Sequence, residues 1–321
     1  MTKKSITAII TRTKNRPLLL ERALASVAEQ TSKDYVHVVL NDGGDKKIVE
    51  TTLKKYPDDK RVVLHNDKSV GLTAALNQAI KSVDTDYIAI LDDDDTWHPD
   101  RIKKVTQYLD EHKGEPGVGI VMERIVEEIR GESIVELSRS KLYEGVSEII
   151  LYNQLLDNYL SNLCITYRRS LYEELNGYDE SLEVAEDWDF GIRYLLRYDV
   201  NFLPETLAYY HHRPVATGDN GNSVFAGVDA HKRSLNKLRN RYLRNDINAG
   251  TFGIGYMMNK LHDNRLKQTE QSELDIANVV RLEGHINYAE KELFKKVESV
   301  VKHHSFSGGI KNKLNKLLKR P

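Results

Sequence analysis

The chain is predicted to be an α/β protein with a mostly parallel sheet flanked by helices, followed by a helical carboxyl-terminal region. Three observations predict this. Short β-branched apolar runs alternate with amphipathic segments up to about His112. Two of those runs end in acidic residues, at Asp42 and at Asp92-Asp93-Asp94-Asp95. Beyond about Val228 the apolar residues recur at steps of three and four.

The elements follow in order. Ile6 to Thr11 is apolar and β-branched and reads as a buried strand. Pro17 to Gln30 reads as a helix, with Pro17 in its first turn and Leu20, Leu24 and Val27 on one face. Tyr35 to Leu40 is a strand that ends in the turn Asn41-Asp42-Gly43-Gly44. Lys46 to Lys55 is a helix, Arg61 to His65 a strand and Leu72 to Ser82 a helix. Tyr87 to Leu91 is a strand that runs into the acidic cluster, and Pro99 opens a helix to about His112. The middle, from about 115 to 220, mixes shorter elements: strands at Leu163–Thr166 and Asn201–Tyr209, and a helix at Glu186–Arg197. Pro214 to Gly227, rich in Gly, Asn and Ser, reads as a loop or a boundary. The domains are therefore drawn as 1–222 and 223–321.

In the second region, Leu282, Ile286, Ala289, Leu293, Val297 and Val300 form a stripe. It admits packing on the first domain or pairing with a second copy. The last stretch, GGIKNKLNKLLKRP, places Ile310, Leu314, Leu317 and Leu318 on one helical face among basic residues. It reads either as a solvated tail or as a helix for an anionic membrane surface, at about 1 kcal/mol per basic residue.

Composition narrows the function classes. The net charge of −1 over 321 residues gives no field that would favour nucleic acid. The single cysteine, Cys164, permits no internal disulfide and fits a reducing compartment. No run approaches the ~20 apolar residues of a membrane span. The amino terminus lacks the apolar core of a signal peptide. A cytoplasmic protein is expected, peripheral at the inner face of the membrane if the basic tail docks there.

The acidic run is the strongest chemical signal. Four adjacent carboxylates repel one another unless a cation neutralises them. Mg²⁺ or Mn²⁺ takes oxygen ligands, often from one or two carboxylates together with substrate phosphates. Such a cation would also stabilise a departing diphosphate. The run follows the strand YIAIL, and ligands of parallel sheets bind at the carboxyl ends of strands.

Four segments in order resemble the inverting glycosyltransferases of family 2, which have the GT-A fold. ITRTKNRP is similar to the family's first strand and turn, and VVLNDGG to its second. YIAILDDDDTWHPDRI resembles the strand with the D-x-D metal motif. CITYRRSLYEELNGYDESLEVAEDWDFGIRY resembles the acceptor-side block that ends in the E-D catalytic motif. Together they cover about residues 5 to 212. The resemblance implies a nucleotide-sugar donor, a UDP-sugar first, and a glycan or lipid-linked acceptor in surface polysaccharide synthesis. It assigns Asp187 as the general base that deprotonates the acceptor hydroxyl. Asp42 falls on the residue that binds the nucleotide base, with Arg12 and Thr13 lining the same pocket. Lys68, Asp92 and Asp93 fall on the donor side, Asp94 and His212 on the metal, and Glu186 and Trp188 on the acceptor side. His211 is an alternative metal ligand, and Arg213 an alternative contact to the diphosphate.

The sequence departs from the family where Arg12 stands in place of Pro, Asn41 in place of Asp, and Leu76 within the usual A-R-N of the third helix. The Q-x-x-R-W motif of processive synthases is absent, which favours addition of one or a few sugars. Two other readings compete. A sugar-1-phosphate nucleotidyltransferase needs a Gly-rich loop after its first strand, and ITRTKNRP has no glycine. A catalytically inactive scaffold would not need both acidic sites. The first strand also lacks the G-x-G-x-x-G of a dinucleotide enzyme.

Overall fold

The computed structural model describes residues 6–142, 148–216, 218–222 and 228–269, with a few positions between 271 and 299. Much of the apolar stripe and all of the basic tail lie outside the described residues.

The first half is built as the alternation demands. The strands are β1 (Thr7–Thr13), β2 (Tyr35–Asp42), β3 (Val62–Asn66) and β4 (Tyr87–Ile90). The helices between them are α1 (Pro17–Ala28), α2 (Lys46–Lys54) and α3 (Leu72–Lys81). These strands pair in parallel in the order β3-β2-β1-β4. The chain thus grows outward from β1 to β3 and returns to the other side of β1 at β4. Ligands of open α/β sheets bind at such a reversal, outside the carboxyl ends of the strands. Here those ends carry Arg12, Thr13 and the acidic run.

Both faces of this half are covered. On β2, Val38 and Leu40 pack with Ala75, Leu76 and Ala79 of α3, whereas Val39 packs with Leu20, Leu24, Val49 and Leu53 of α1 and α2. Alternate residues of a strand point to opposite faces, so the continuous apolar run feeds two cores.

The second half of the sheet is mixed. Thr96–Trp97 forms a short strand, β5, which delays the next helix, α4, to Arg101–Glu111. A hairpin follows: β6 (Gly117–Arg130) and β7 (Ser133–Lys141), turned at Gly131 with φ 64. Sequence periodicity did not show these long strands, because β7 is largely exposed and charges interrupt the apolar face of β6. After α5 (Leu151–Leu156) come β8 (Ile165–Arg168), α6 (Arg169–Glu174), α7 (Glu186–Leu195) and β9 (Asn201–His212). β8 runs antiparallel to β4 and β6, whereas β9 runs parallel to β6. The β6–β9 register shifts at Ile120/Val121 and Val121/Met122, opposite Pro204, which has no N–H for a regular ladder.

Helix α8 spans Val228–Ala249. It buries Leu238 and Tyr242, and Arg241 pairs with Asp179 and with Asp189 of α7. The compact unit therefore runs from the amino terminus to Asn259 and includes α8; a second unit begins at Lys260. Among the described residues, no helix is long and apolar enough to cross a membrane.

Candidate active site

The acidic run is neutralised from several elements. Arg12, at the end of β1, donates to Asp92 Oδ1 through Nε at 3.1 Å and Nη2 at 2.7 Å. Its Nη1 donates to Leu72 O and to Glu186 Oε1, each at 3.0 Å. Burial alone would lower the pKa of Arg12, but the charges of Asp92 and Glu186 more than reverse this and raise it. A single buried guanidinium thus ties the end of β1, the start of α3, the acidic run and the first turn of α7.

Arg16 donates to Asp93 Oδ1 at 3.1 Å and lies 3.6 Å from Asp94 Oδ2. It also binds the carbonyls of Asp219 and Gly221, so it fastens the 218–222 segment over the site. Arg213 follows β9 and donates to Asp94 Oδ2 at 2.5 Å, and Asn222 Nδ2 reaches the same oxygen at 3.2 Å. Asp93 is buried beside the Thr13 hydroxyl; burial, opposed mainly by Arg16, pushes it up to about 6. Asp95 accepts from the His211 backbone N–H at 2.9 Å, and burial followed by the charge of Asp94 raises its pKa well above the usual carboxylate value. Arginines therefore supply much of the neutralisation that an acidic run demands.

The donor set suits a hard cation to a limited degree. Asp92 and Asp94 offer oxygen ligands at the carboxyl end of β4. Asp94 Oδ2 is already shared by Arg213 and Asn222, and no described hydrogen bond engages its Oδ1. Among the described residues, no three His, Cys, Asp or Glu side chains converge on one point. One or two carboxylates completed by substrate phosphates is the usual pattern for Mg²⁺, and these residues fit it. His212 is half-buried, its ring 4.3 Å from that of Tyr210. Burial, then Arg124 and Arg213, hold it down at about 4, so it is neutral near pH 7, as a metal ligand must be. His211 is committed elsewhere, to Thr96 Oγ1 at 2.9 Å and Glu127 Oε2 at 2.7 Å.

The residues expected on the acceptor side stand on α7. Its first turn holds Glu186, Asp187 and Asp189, where the helix dipole favours negative charge. Ala185, just before them, sits at φ 63, a left-handed conformation that costs a non-glycine residue about 1–2 kcal/mol. It is held by contacts on either side: Ser234 Oγ accepts from Val184 N, and Asp189 N donates to Ala185 O. Asp187 Oδ1 accepts from the Trp188 N–H at 2.8 Å, and Oδ2 from the Asn162 N–H at 3.5 Å. Burial, then the charge of Glu186, push Asp187 up to about 7. A carboxylate near 7 is poised to take a proton at neutral pH.

The remaining expected residues stand apart from this cluster. Asp42, at the end of β2, accepts from Asn66, Ser69, Val70 N and Gly71 N at 2.5 to 3.2 Å. Burial works upward on Asp42, but these bonds outweigh it and lower its pKa. Lys68 is exposed on the same loop. Trp188 is 5 % exposed, gives its indole N–H to Gln154 O and lies in the interior beneath the site.

Sequence reasoning missed Arg16, Arg22, Glu127 and Asn222. Glu127 was detectable in principle: in Ile125-x-Glu127-x-Ile129 it holds an inward position of a strand.

The sheet reversal is lined by carboxylates on one side and by an acidic helix start on the other, and it is at such reversals that open α/β sheets bind ligands. Residues 8–175, more than half of the chain, match the model of glycosyl transferase family 2, and the chain belongs to that family. An uncharacterized glycosyltransferase of Bacillus subtilis, YwdF, is 26 % identical over 77 % of this chain and 88 % of its own. Among solved structures, the mannosyltransferase PcManGT of Pyrobaculum calidifontis, in complex with GDP-Man and Mn²⁺, has a TM-score of 0.54 at 18 % identity, covering 76 % of this chain and 65 % of that one. S. aureus TarS in complex with UDP-GlcNAc has a TM-score of 0.51 at 19 % identity, covering 68 % of this chain and 63 % of that one. This chain thus spans less than two thirds of those two solved chains, and at such identities they speak for the fold. The protein is a glycosyltransferase with a GT-A-like fold.

Proposed function

We propose that the enzyme is an inverting, metal-dependent transferase that moves a sugar from a nucleoside diphosphate sugar, with UDP as the nucleotide, onto a hydroxyl of a glycan or lipid-linked acceptor. The observation that carries this reading is the Arg12 bridge, because it sets Asp92 and Glu186 against one guanidinium. In this reading the donor carboxylates and the helix of the base stand next to one another, joined through Arg12.

In this reading Asp42 accepts from the base in place of one of its present loop donors, with Thr13 and Lys68 nearby. Asp92 lies toward the ribose, with Asp93 behind it on the donor side, held by Arg16. Asp94, with His212, would hold Mg²⁺ or Mn²⁺, which when bound would offset the charge of the departing diphosphate. Asp187 takes the proton of the acceptor hydroxyl as that oxygen attacks the anomeric carbon, and the nucleoside diphosphate departs from the opposite face. Glu186 keeps the negative charge beside Asp187 fixed through Arg12. The acceptor belongs to a surface polysaccharide on the cytoplasmic side of a membrane, with the basic tail as the membrane contact and the carboxyl-terminal helices available for self-association.

The test is calorimetric titration with UDP, GDP, ADP and CDP, with Mn²⁺ and with chelator. Mn²⁺-dependent binding of UDP is expected. Preference for GDP would move the donor to the nucleotide seen with the Pyrobaculum enzyme. Binding of none of the four would overturn the donor site.

A further inference from the structure

Glu127 is a buried carboxylate on the longest strand, and no step above uses it. Its side chain is 2 % exposed, and both oxygens are engaged. Oε2 accepts from Arg22 Nη1 at 2.6 Å and pairs with His211 Nδ1 at 2.7 Å. Oε1 accepts from Arg213 Nη1 at 2.9 Å. A glutamate at this depth persists only with such partners. Arg213 is itself fully buried; its Nε holds Asn220 O at 2.9 Å and its Nη2 holds Asp94 Oδ2 at 2.5 Å. One guanidinium therefore spans two carboxylates, and only Asp94 belongs to the proposed donor site.

We propose that Glu127 is a positioning residue of the donor site, which holds Arg213 between itself and Asp94 and so sets how much positive charge Asp94 receives before a cation or a diphosphate arrives. The inference rests on the reading of Asp94 as a donor-site carboxylate.

The consequence has a definite sign. Arg213 and a divalent cation compete for Asp94. With Glu127 neutralised, Arg213 keeps Asp94 as its remaining anionic partner, and Arg22 and His211 lose theirs. The potential at Asp94 becomes more positive, so cation affinity falls while affinity for a metal-free diphosphate rises. With Arg213 neutralised, both signs reverse. A Glu127 that served only to pack the fold would weaken both ligands when replaced.

The experiment titrates the full chain as wild type, Glu127→Gln and Arg213→Gln, first with Mn²⁺ alone and then with UDP in chelator. Mn²⁺ binding is expected to weaken about tenfold in Glu127→Gln and to tighten about tenfold in Arg213→Gln, with UDP moving the opposite way in each. Arg22→Gln guards against misfolding of the Arg213 variant, because Arg22 is about one-fifth exposed. It leaves Glu127 freer to draw Arg213 from Asp94, so Mn²⁺ binding tightens there too. Shifts of the same sign in the Glu127 and Arg213 variants, or parallel loss of both ligands in Glu127→Gln, would overturn the proposal. A wild type that binds UDP with Mn²⁺ keeps the donor-site reading whatever the variants do. A wild type that binds neither removes that reading, and this inference with it.

Discussion

Asp187 sits where burial and a neighbouring charge both oppose its ionisation. With its pKa pushed up to about 7, the proposed base is half protonated near neutrality. The rate under kcat/KM conditions is therefore expected to fall as pH drops through about 7 and to level off above it. Glu186 is the main charged contributor to that position, so Glu186→Gln moves the falling limb to lower pH; an unmoved limb means another group titrates. Asp187→Asn abolishes transfer while UDP binding persists, and loss of both would make Asp187 structural. The same substitution has a stability signature. A carboxylate whose folded pKa is raised destabilises the fold above that pKa, and the penalty fades as pH falls toward the unfolded value. Asp187→Asn is thus expected to raise the melting temperature at pH 8 by a few degrees, roughly, and hardly at all near pH 4, which a melting series will show.

At the scale of elements, Asp187 is held by packing that the sequence did not display. Gly191 of α7 lies so close to α5 that an added Cβ would meet Gln154 Nε2 at 2.4 Å. Gln154 is fully buried; it donates to Asn158 Oδ1 and accepts from Leu160 N. Asn158 in turn bonds Asp187. Gly191→Ala should therefore cost about 1–3 kcal/mol and also lower kcat, measured by urea unfolding and initial rates. Unchanged kcat with lowered stability would mean Gln154 yields without moving Asn158. The elements of the parallel half were legible because β1, β2 and β4 are buried on both faces and each helix shows one apolar stripe. The hairpin of β6 and β7 was not, since a strand exposed along one side carries charges that blur its period. The acidic positions could be read from their place after β4 and at the start of α7. Their arginine partners could not, since Arg16, Arg22 and Arg213 meet them only through the fold.

For the whole molecule, α8 belongs with the catalytic body. Its Lys237 and Arg241 bind the 179–189 segment that leads into α7, and Leu238 is fully buried. Residues 1–259 are expected to fold and bind UDP like the full chain. Residues 1–222 are expected to melt at lower temperature and lose transfer, since Asp189 would keep a buried charge with Arg193 as its remaining cation. Equal melting of the two truncations would place α8 outside the catalytic body.

The irregular stretch of β9 around Pro204 acts as a phase marker. It decides which of two neighbouring histidines looks inward, because a strand reverses its side chains with every residue gained or lost. A one-residue deletion between Leu203 and Leu207 would bring His212 opposite Ile125 and turn Arg213 away from Asp94, with the surrounding sheet still intact. Among relatives of this chain, insertions and deletions in that stretch should then come in pairs of residues or be absent. The spelling of β9 is under a parity constraint that its exposed, variable-looking composition does not announce.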